Sequence, residues 1–433
     1  MTDIEAVLAA DRDHVWHPWS RQGVASGLVL SGGSGSTVTT PDGARYLDLG
    51  SQLVFTNTGH QHPKVVAAIV EQAQRLATAA PNYAVEARSE AARMIAALSP
   101  DGFERVFFTT GGSEAVENAM RAARAVTGRR KILSSYRSYH GNTTASITAT
   151  GDPRRFGNEF ATDHVHFFSP HLYRSAFWAE DLQEESERAL QHLRQVIEFE
   201  GPASIAAVLL ETVVGAGGVI PPPPHYLAGV RRLCDEFGIL LILDEVMAGF
   251  GRTGRWFAFE REQVVPDIFV VAKGINGGAV PLGAVVFSDA VADTFTQRPF
   301  PGGMTYSGHP LACAAAVGAI SAIAEEGLVA RADRLGELVL GPGLRTLAAE
   351  HECVGDVRGV GAFWAVEFVS DAPRRAPMPA DAMARFGAAL RQRGVLGLMV
   401  ANRLHIAPPL VLTDAEAGEA LAAVDAAVGA LAG

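Results

Sequence analysis

The chain has 433 residues, 48% of them hydrophobic and 19% charged, and carries a formal net charge of −11. That composition excludes a disordered chain, and 36 Lys+Arg against 47 Asp+Glu, with no long basic run, argues against a nucleic-acid partner. The length exceeds one small core and predicts a large domain with a satellite. No apolar stretch reaches about 20 residues, so no membrane span is expected. Cys234, Cys313 and Cys353 are scattered, which suits a reducing compartment. The acidic N-terminus, MTDIEAVLAADRDH, lacks the basic and apolar regions of a signal peptide, and a cytoplasmic location is the expectation.

Residues 1–20 predict a short helix followed by HVWHPWS. There Trp16 and Trp19 either line a pocket or pin an N-terminal arm by aromatic burial. LVLSGGSGSTVTTPDGARYLDL predicts a hairpin or meander around the turn PDG. His60 and His62, in NTGHQHPKV, read as turn and helix-capping histidines, since no third metal ligand is suggested. Helices are predicted up to residue 78 and over 85–98.

RVFFTTGGSEAVENAMRAARAVTG then reads as strand, glycine pair and helix, with Ser113 at the N-cap position. Free N–H groups and the positive dipole end of such a helix make an anion seat. KILSS predicts another strand, and Tyr139, His140 and Gly141 open the next helix, where an aromatic ring could stack on a planar cofactor. Residues 152–200 read as a polar, irregular excursion ending in an acidic helix. IAAVLLE predicts a buried strand ending at Glu211, and HYLAGVRRLCDEFG a helix with Gly238 as its terminating glycine.

The most informative stretch follows. The apolar run Ile239–Leu243 ends in Asp244 and Glu245. A second apolar run, Ile268–Ala272, ends in Lys273, 29 positions after Asp244. Short runs rich in Ile, Val and Leu read as buried parallel strands, and open α/β sheets place chemistry at the carboxyl ends of such strands. A carboxylate and a tunable lysine at one rim suit a cofactor held as a Schiff base with a ring-nitrogen partner. Beyond Lys273 come one more strand, a glycine-rich loop and a long small-residue helix. From about residue 320 a smaller α+β unit follows.

In combination, TTGGSEAVENAMRAAR, SYRSYHGNT, LLETVVGAGG, LDEVMAGFGRTGRWFA, PDIFVVAKG, PLGA, MTYSGHPLACAAA and APPLVLT resemble the class III (ω-type) aminotransferases. The text of HVWHPWS, SYRSYHG and DEVMAGFGRTG is most like the taurine–pyruvate branch. The resemblance implies pyridoxal 5′-phosphate as cofactor and the fold-type I scaffold. That scaffold is an α/β fold with a large, doubly wound, mostly parallel seven-stranded sheet and a smaller α+β domain from both chain ends. It implies an N-terminal segment over 1–59 belonging to the small domain, a large domain over 60–320 and a C-terminal domain over 321–433.

By the same resemblance Lys273 would bind the cofactor and move the proton, and Asp244 would pair with its ring nitrogen. Glu211 would hold the acidic network with His140 nearby. Gly112 and Ser113 would seat the phosphate, Tyr139 and Val246 would cover the two ring faces, and Thr305 would reach the cofactor of the neighbouring subunit in a homodimer. Trp19, Arg403 and His405 are the substrate-binding candidates, with Arg137 a further anion contact. Glutamate-accepting members carry a Glu–Arg pair where this chain has Ala216 and His405. Pyruvate is therefore the expected oxo-acid acceptor, and the resemblance implies a primary amine or ω-amino acid as the donor. KGINGG also departs from the family's Ser/Thr-Gly text after the lysine. An aminomutase or racemase on the same fold, and a catalytically silent cofactor-binding regulator, stand as alternatives.

Overall fold

The computed structural model describes residues 3–23, 27–158 and 162–431. Its centre is a seven-stranded sheet. The strands are β1 (Arg105–Thr109), β2 (Lys131–Ser135), β3 (His164–Phe167), β4 (Ile205–Glu211), β5 (Leu240–Asp244), β6 (Ile268–Val271) and β7 (Gly283–Phe287), in the order β1-β7-β6-β5-β4-β2-β3. β7 runs antiparallel to both its neighbours, and the other pairings are parallel. Every residue of β4, β6 and β7 is buried. That is why these strands read as continuous apolar runs without alternation.

Helices cover the sheet. The 16-residue helix α1 (Gly112–Thr127) buries Ala115, Val116, Ala119, Met120, Ala122 and Ala123, a run of small side chains that lets it sit close on the strands. Tyr226–Phe237 ends at Gly238, whose φ of 61° supplies the left-handed terminator expected of it. The small-residue helix Pro310–Glu325 is buried along most of its length. Among the described residues no single helix is long and apolar enough to cross a membrane.

Both chain ends meet in a second, four-stranded sheet. The predicted meander, Gly32–Ser34, Thr37–Thr39 and Arg45–Asp48, is antiparallel, and Val395–Leu396 adds to it in parallel. The C-terminal region contributes a further sheet in which Phe363–Asp371 lies between Val354–Val360 and Arg403–Ile406.

Four expectations need correction. The excursion over 152–200 contains β3, a short edge strand of sequence HVHF. The helix after Tyr139-His140-Gly141 begins only at Thr144, capped by Thr143. The cap of α1 is Gly111, and Ser113 is the second helical residue. Trp16 and Trp19 are not buried: they are 82% and 62% exposed. His62 does cap a helix, accepting from Lys64 N, and His60 pairs with Asp48 at 2.9 Å.

One fully buried cation joins the segments. Arg252 donates to the carbonyls of Ala362 and Pro408, to Ser51 Oγ at 3.2 Å and to Asn57 Oδ1 at 2.7 Å. Burial pushes its guanidinium down to about 9, opposed by Asp48. Arg252→Leu would leave several buried acceptors unpaired, each costing about 1–3 kcal/mol. The urea midpoint of this variant is expected to fall by an amount equivalent to roughly 3 kcal/mol or more. An unchanged midpoint would show that water replaces these bonds without cost.

Candidate active site

The parallel register sets the site. Glu211 at the end of β4 lies beside Asp244 at the end of β5, and Asp244 lies beside Val270 in β6, three residues before Lys273. All three side chains line one cavity of about 260 Å³, together with Gly112, Ser113, Tyr139, His140 and Val246. Side chains alternate across a strand end, so the two consecutive acids part. Asp244 faces the cavity. Glu245 turns away and accepts from the N–H groups of Ala258 and Phe259.

The acids are held at both oxygens. Asp244 Oδ1 accepts from Val246 N at 3.0 Å, and Asp244 Oδ2 lies 2.8 Å from His140 Nδ1. A carboxylate only accepts, so Nδ1 carries the proton of that bond. Glu211 Oε1 accepts from Tyr139 N and Oε2 from Gly215 N, each at 2.8 Å. Burial pushes Glu211 up to about 7, His140 opposes this, and Asp244 adds to it. Removal from water lowers Lys273 to about 8; Asp244 and Glu211 pull it back up, and Arg154 pushes it further down. Lys273 also sits at φ 47°, a left-handed conformation that non-glycine residues adopt at a cost of order 1–3 kcal/mol.

The other wall is the start of α1. No side chain caps this helix at Gly111. Glu114 instead reaches back to Thr110 N and Oγ1, so the first turn presents its N–H groups to the cavity. Gly141, at φ +135°, sits where a Cβ would meet Ser113 Oγ at 2.5 Å, so only glycine lets the Tyr139 loop close on α1. Pyridoxal phosphate fits these residues on three counts. An uncapped helix N-terminus suits its phosphate. A buried, double-held carboxylate suits its ring nitrogen. A lysine with a lowered pKa suits its aldehyde.

The structure also separates residues that the sequence grouped. Trp19, Arg403 and His405 do not line the cavity, and Thr305, expected at the neighbouring subunit's cofactor, lies outside it as well. Thr305 is exposed, on a turn. Trp19 meets the edge of Tyr139, with ring centroids 6.4 Å apart. Arg403 donates to Gly217 O at 3.0 Å, and His405 is fully buried with neither ring nitrogen paired. Arg403 and His405 share a face of their strand, as the period of two requires, but that face points elsewhere. Arg137 lies beside Arg174 and Arg358 and does not line the cavity either.

One residue was missed. The Arg154 guanidinium lies 3.7 Å from the centroid of Tyr139 and 5.7 Å from that of Trp19, and Asp152 clamps it through Nε at 2.9 Å. Its charge adds a minor part to the lowering of Lys273, behind burial. Its only sequence signal was the turn text GDPRR, which marks a bend without saying what the bend faces.

Comparison with known proteins supplies the family evidence. The model of the family described as "Aminotransferase class-III" matches residues 20–428. Acetylornithine aminotransferase of Methanopyrus kandleri is 38% identical over 79% of this chain and 82% of its own. Taurine–pyruvate aminotransferase of Bilophila wadsworthia is 32% identical over 98% and 97%. Among solved structures, taurine:2-oxoglutarate aminotransferase from Bifidobacterium kashiwanohense, in complex with PLP and glutamate, superimposes with a TM-score of 0.95. It is 40% identical and covers 99% of this chain and 98% of its own.

The lowered Lys273 pKa makes a direct expectation. Below about pH 8 its amine is mostly protonated and cannot attack an aldehyde; above it the neutral form dominates. The rate at which the apoprotein captures pyridoxal phosphate should therefore rise through about pH 8 and level off. A rise that continues to pH 10 would show an ordinary lysine.

Proposed function

Because the chain belongs to the class III aminotransferases, we propose that its cavity moves an amino group from an ω-amine bearing an acid group to a small 2-oxo acid. It is a pyridoxal-phosphate-dependent ω-aminotransferase. The observation that carries the substrate reading is Arg154, which Asp152 holds over the ring of Tyr139, a residue that lines the cavity, although Arg154 itself lies outside the lining. A fixed guanidinium recognises a carboxylate or sulfonate. The taurine, 5-aminovalerate and acetylornithine enzymes among the relatives support an acid-bearing donor by their names.

When bound, the cofactor supplies an aldehyde for amine exchange and a ring that takes up an electron pair. The N–H groups of Gly112 and Ser113 would hold its phosphate, and Tyr139 and Val246 would cover the ring. Asp244 would keep a proton on the ring nitrogen, with His140 fixing the orientation of the carboxylate. Lys273 Nζ would hold the aldehyde carbon and then carry the proton to and from the substrate carbon. Two half-reactions through one cavity make the kinetics ping-pong. The active form would be a homodimer with isologous symmetry, in which the exposed Thr305 reaches the neighbouring cofactor.

For the acceptor, the absence of a Glu–Arg pair at Ala216 and His405 favours pyruvate. A second reading, 2-oxoglutarate, is favoured by the 40% identity to a relative named for it. Measuring alanine against glutamate formed from a common donor separates the two. Formation of neither would sink the proposal.

Two variants test the roles. Lys273→Ala should abolish turnover while leaving the fold intact, and retained turnover would remove it from the mechanism. Arg154→Ala should raise KM for taurine or β-alanine roughly 10- to 100-fold, the worth of one charge-assisted contact, and barely change it for an uncharged amine. Equal losses for both donors would show that Arg154 only supports Tyr139.

A further inference from the structure

A second cleft, of about 1270 Å³, shares no lining residue with the cofactor cavity. Its walls come from the segment around His171–Trp178, the run Pro221–Pro224, Arg345, and the strands beginning at Val354 and ending at Asp371. In a chain of net charge −11, five arginines line it against two carboxylates, Glu180 and Asp356.

The cations are incompletely answered, although Arg374 pairs with Asp371 at 3.1 Å. Glu367 is shared between Arg174 at 2.6 Å and Arg358 at 2.9 Å, and Asp356 pairs with Arg358 at 2.5 Å. Arg375 donates to Tyr173 O and lies over that ring, 4.7 Å from its centroid, and pairs with no acid among the described residues. Arg345 is exposed and pairs with no acid among the described residues. Arg137 and Arg403 lie behind, their guanidinium groups pushed down by burial and by the neighbouring arginines.

An independent observation lies in the same wall. His171 is 4% exposed, lines the cleft, and has neither ring nitrogen paired. Buried polar atoms without partners are rare in folded proteins. Burial and four arginines push its pKa down to about 2, so the ring is neutral, with one N–H to donate. A donor without an acceptor, in a cleft where Arg345 and Arg375 have no acid partner among the described residues and Glu367 is shared by two arginines, calls for an anion with several oxygens.

We propose that this cleft, floored by His171, Arg174 and Arg358 and rimmed by Arg345 and Arg375, is a binding site for a small polyanion carrying phosphate or carboxylate groups. It is distinct from the substrate cavity, but it is not isolated from it. Arg358 Nε donates to Gly218 O at 2.8 Å and Arg403 to Gly217 O. These glycines continue the segment whose Gly215 N–H holds Glu211. An occupant drawing on Arg358 therefore acts on the backbone that orients an active-site acid.

The test is calorimetric titration of the cofactor-loaded enzyme with inorganic pyrophosphate and, separately, with citrate; which probe binds distinguishes a phosphate from a polycarboxylate ligand. Saturable binding of at least one probe is expected, weakened 10-fold or more in Arg345→Glu/Arg375→Glu and unchanged in Arg154→Ala. Both cleft positions are exposed, and a melting temperature matching the parent would exclude misfolding. No saturable binding of either probe at millimolar concentration, or binding weakened by Arg154→Ala and not by the cleft variant, would overturn the proposal.

Discussion

The structure depends on placing titratable groups at one buried rim of a sheet. Glu211 and Asp244 are 6% and 4% exposed and lie on adjacent strands. Isolated, two such carboxylates would repel and would protonate. Asp244 is held by the N–H of Val246 and the ring of His140, with the amine of Lys273 nearby. Burial pushes Glu211 up to about 7, against the opposing effect of His140. Each acid has two hydrogen-bond partners, but those of Glu211 are both backbone N–H groups, whereas one of those of Asp244 is the His140 ring.

Everything around the rim serves this arrangement. The parallel strands carry the acids to the same edge, and the all-apolar strand interiors fix their register. α1 brings an uncapped N-terminus to the opposite wall, and Gly141 lets the Tyr139 loop approach it. Arg252 ties the segments at 51–57, 362 and 408 together without touching the cavity. The active site is therefore a product of long-range assembly. Its named residues span from Gly112 to Lys273, and the frame behind them draws on both chain ends.

How much of this was legible follows from the signal each part leaves. Ile239–Asp244 and Ile268–Lys273 were readable because buried parallel strands make unbroken apolar runs with a sharp polar end. Gly111–Gly112 was readable as a strand–turn–helix junction, although Ser113 suggested a cap that glycine supplies instead. β3 was not readable: a four-residue edge strand with two histidines has too few apolar positions to stand out. Arg154 was invisible because its role comes from a cation–ring contact across a fold that local sequence does not encode. The alternation of Arg403 and His405 was correct, but which way the strand faces is set by its partner Phe363–Asp371. Direction, unlike period, is a tertiary property.

The central claim is that Asp244 and Lys273 at neighbouring strand ends define the cofactor site. The most direct measurement is borohydride reduction of the enzyme loaded with pyridoxal phosphate, followed by peptide mass spectrometry. The account predicts one added cofactor mass per chain, located on the peptide containing Lys273. The same mass on Lys64 or Lys131, or no covalent addition at all, would contradict it.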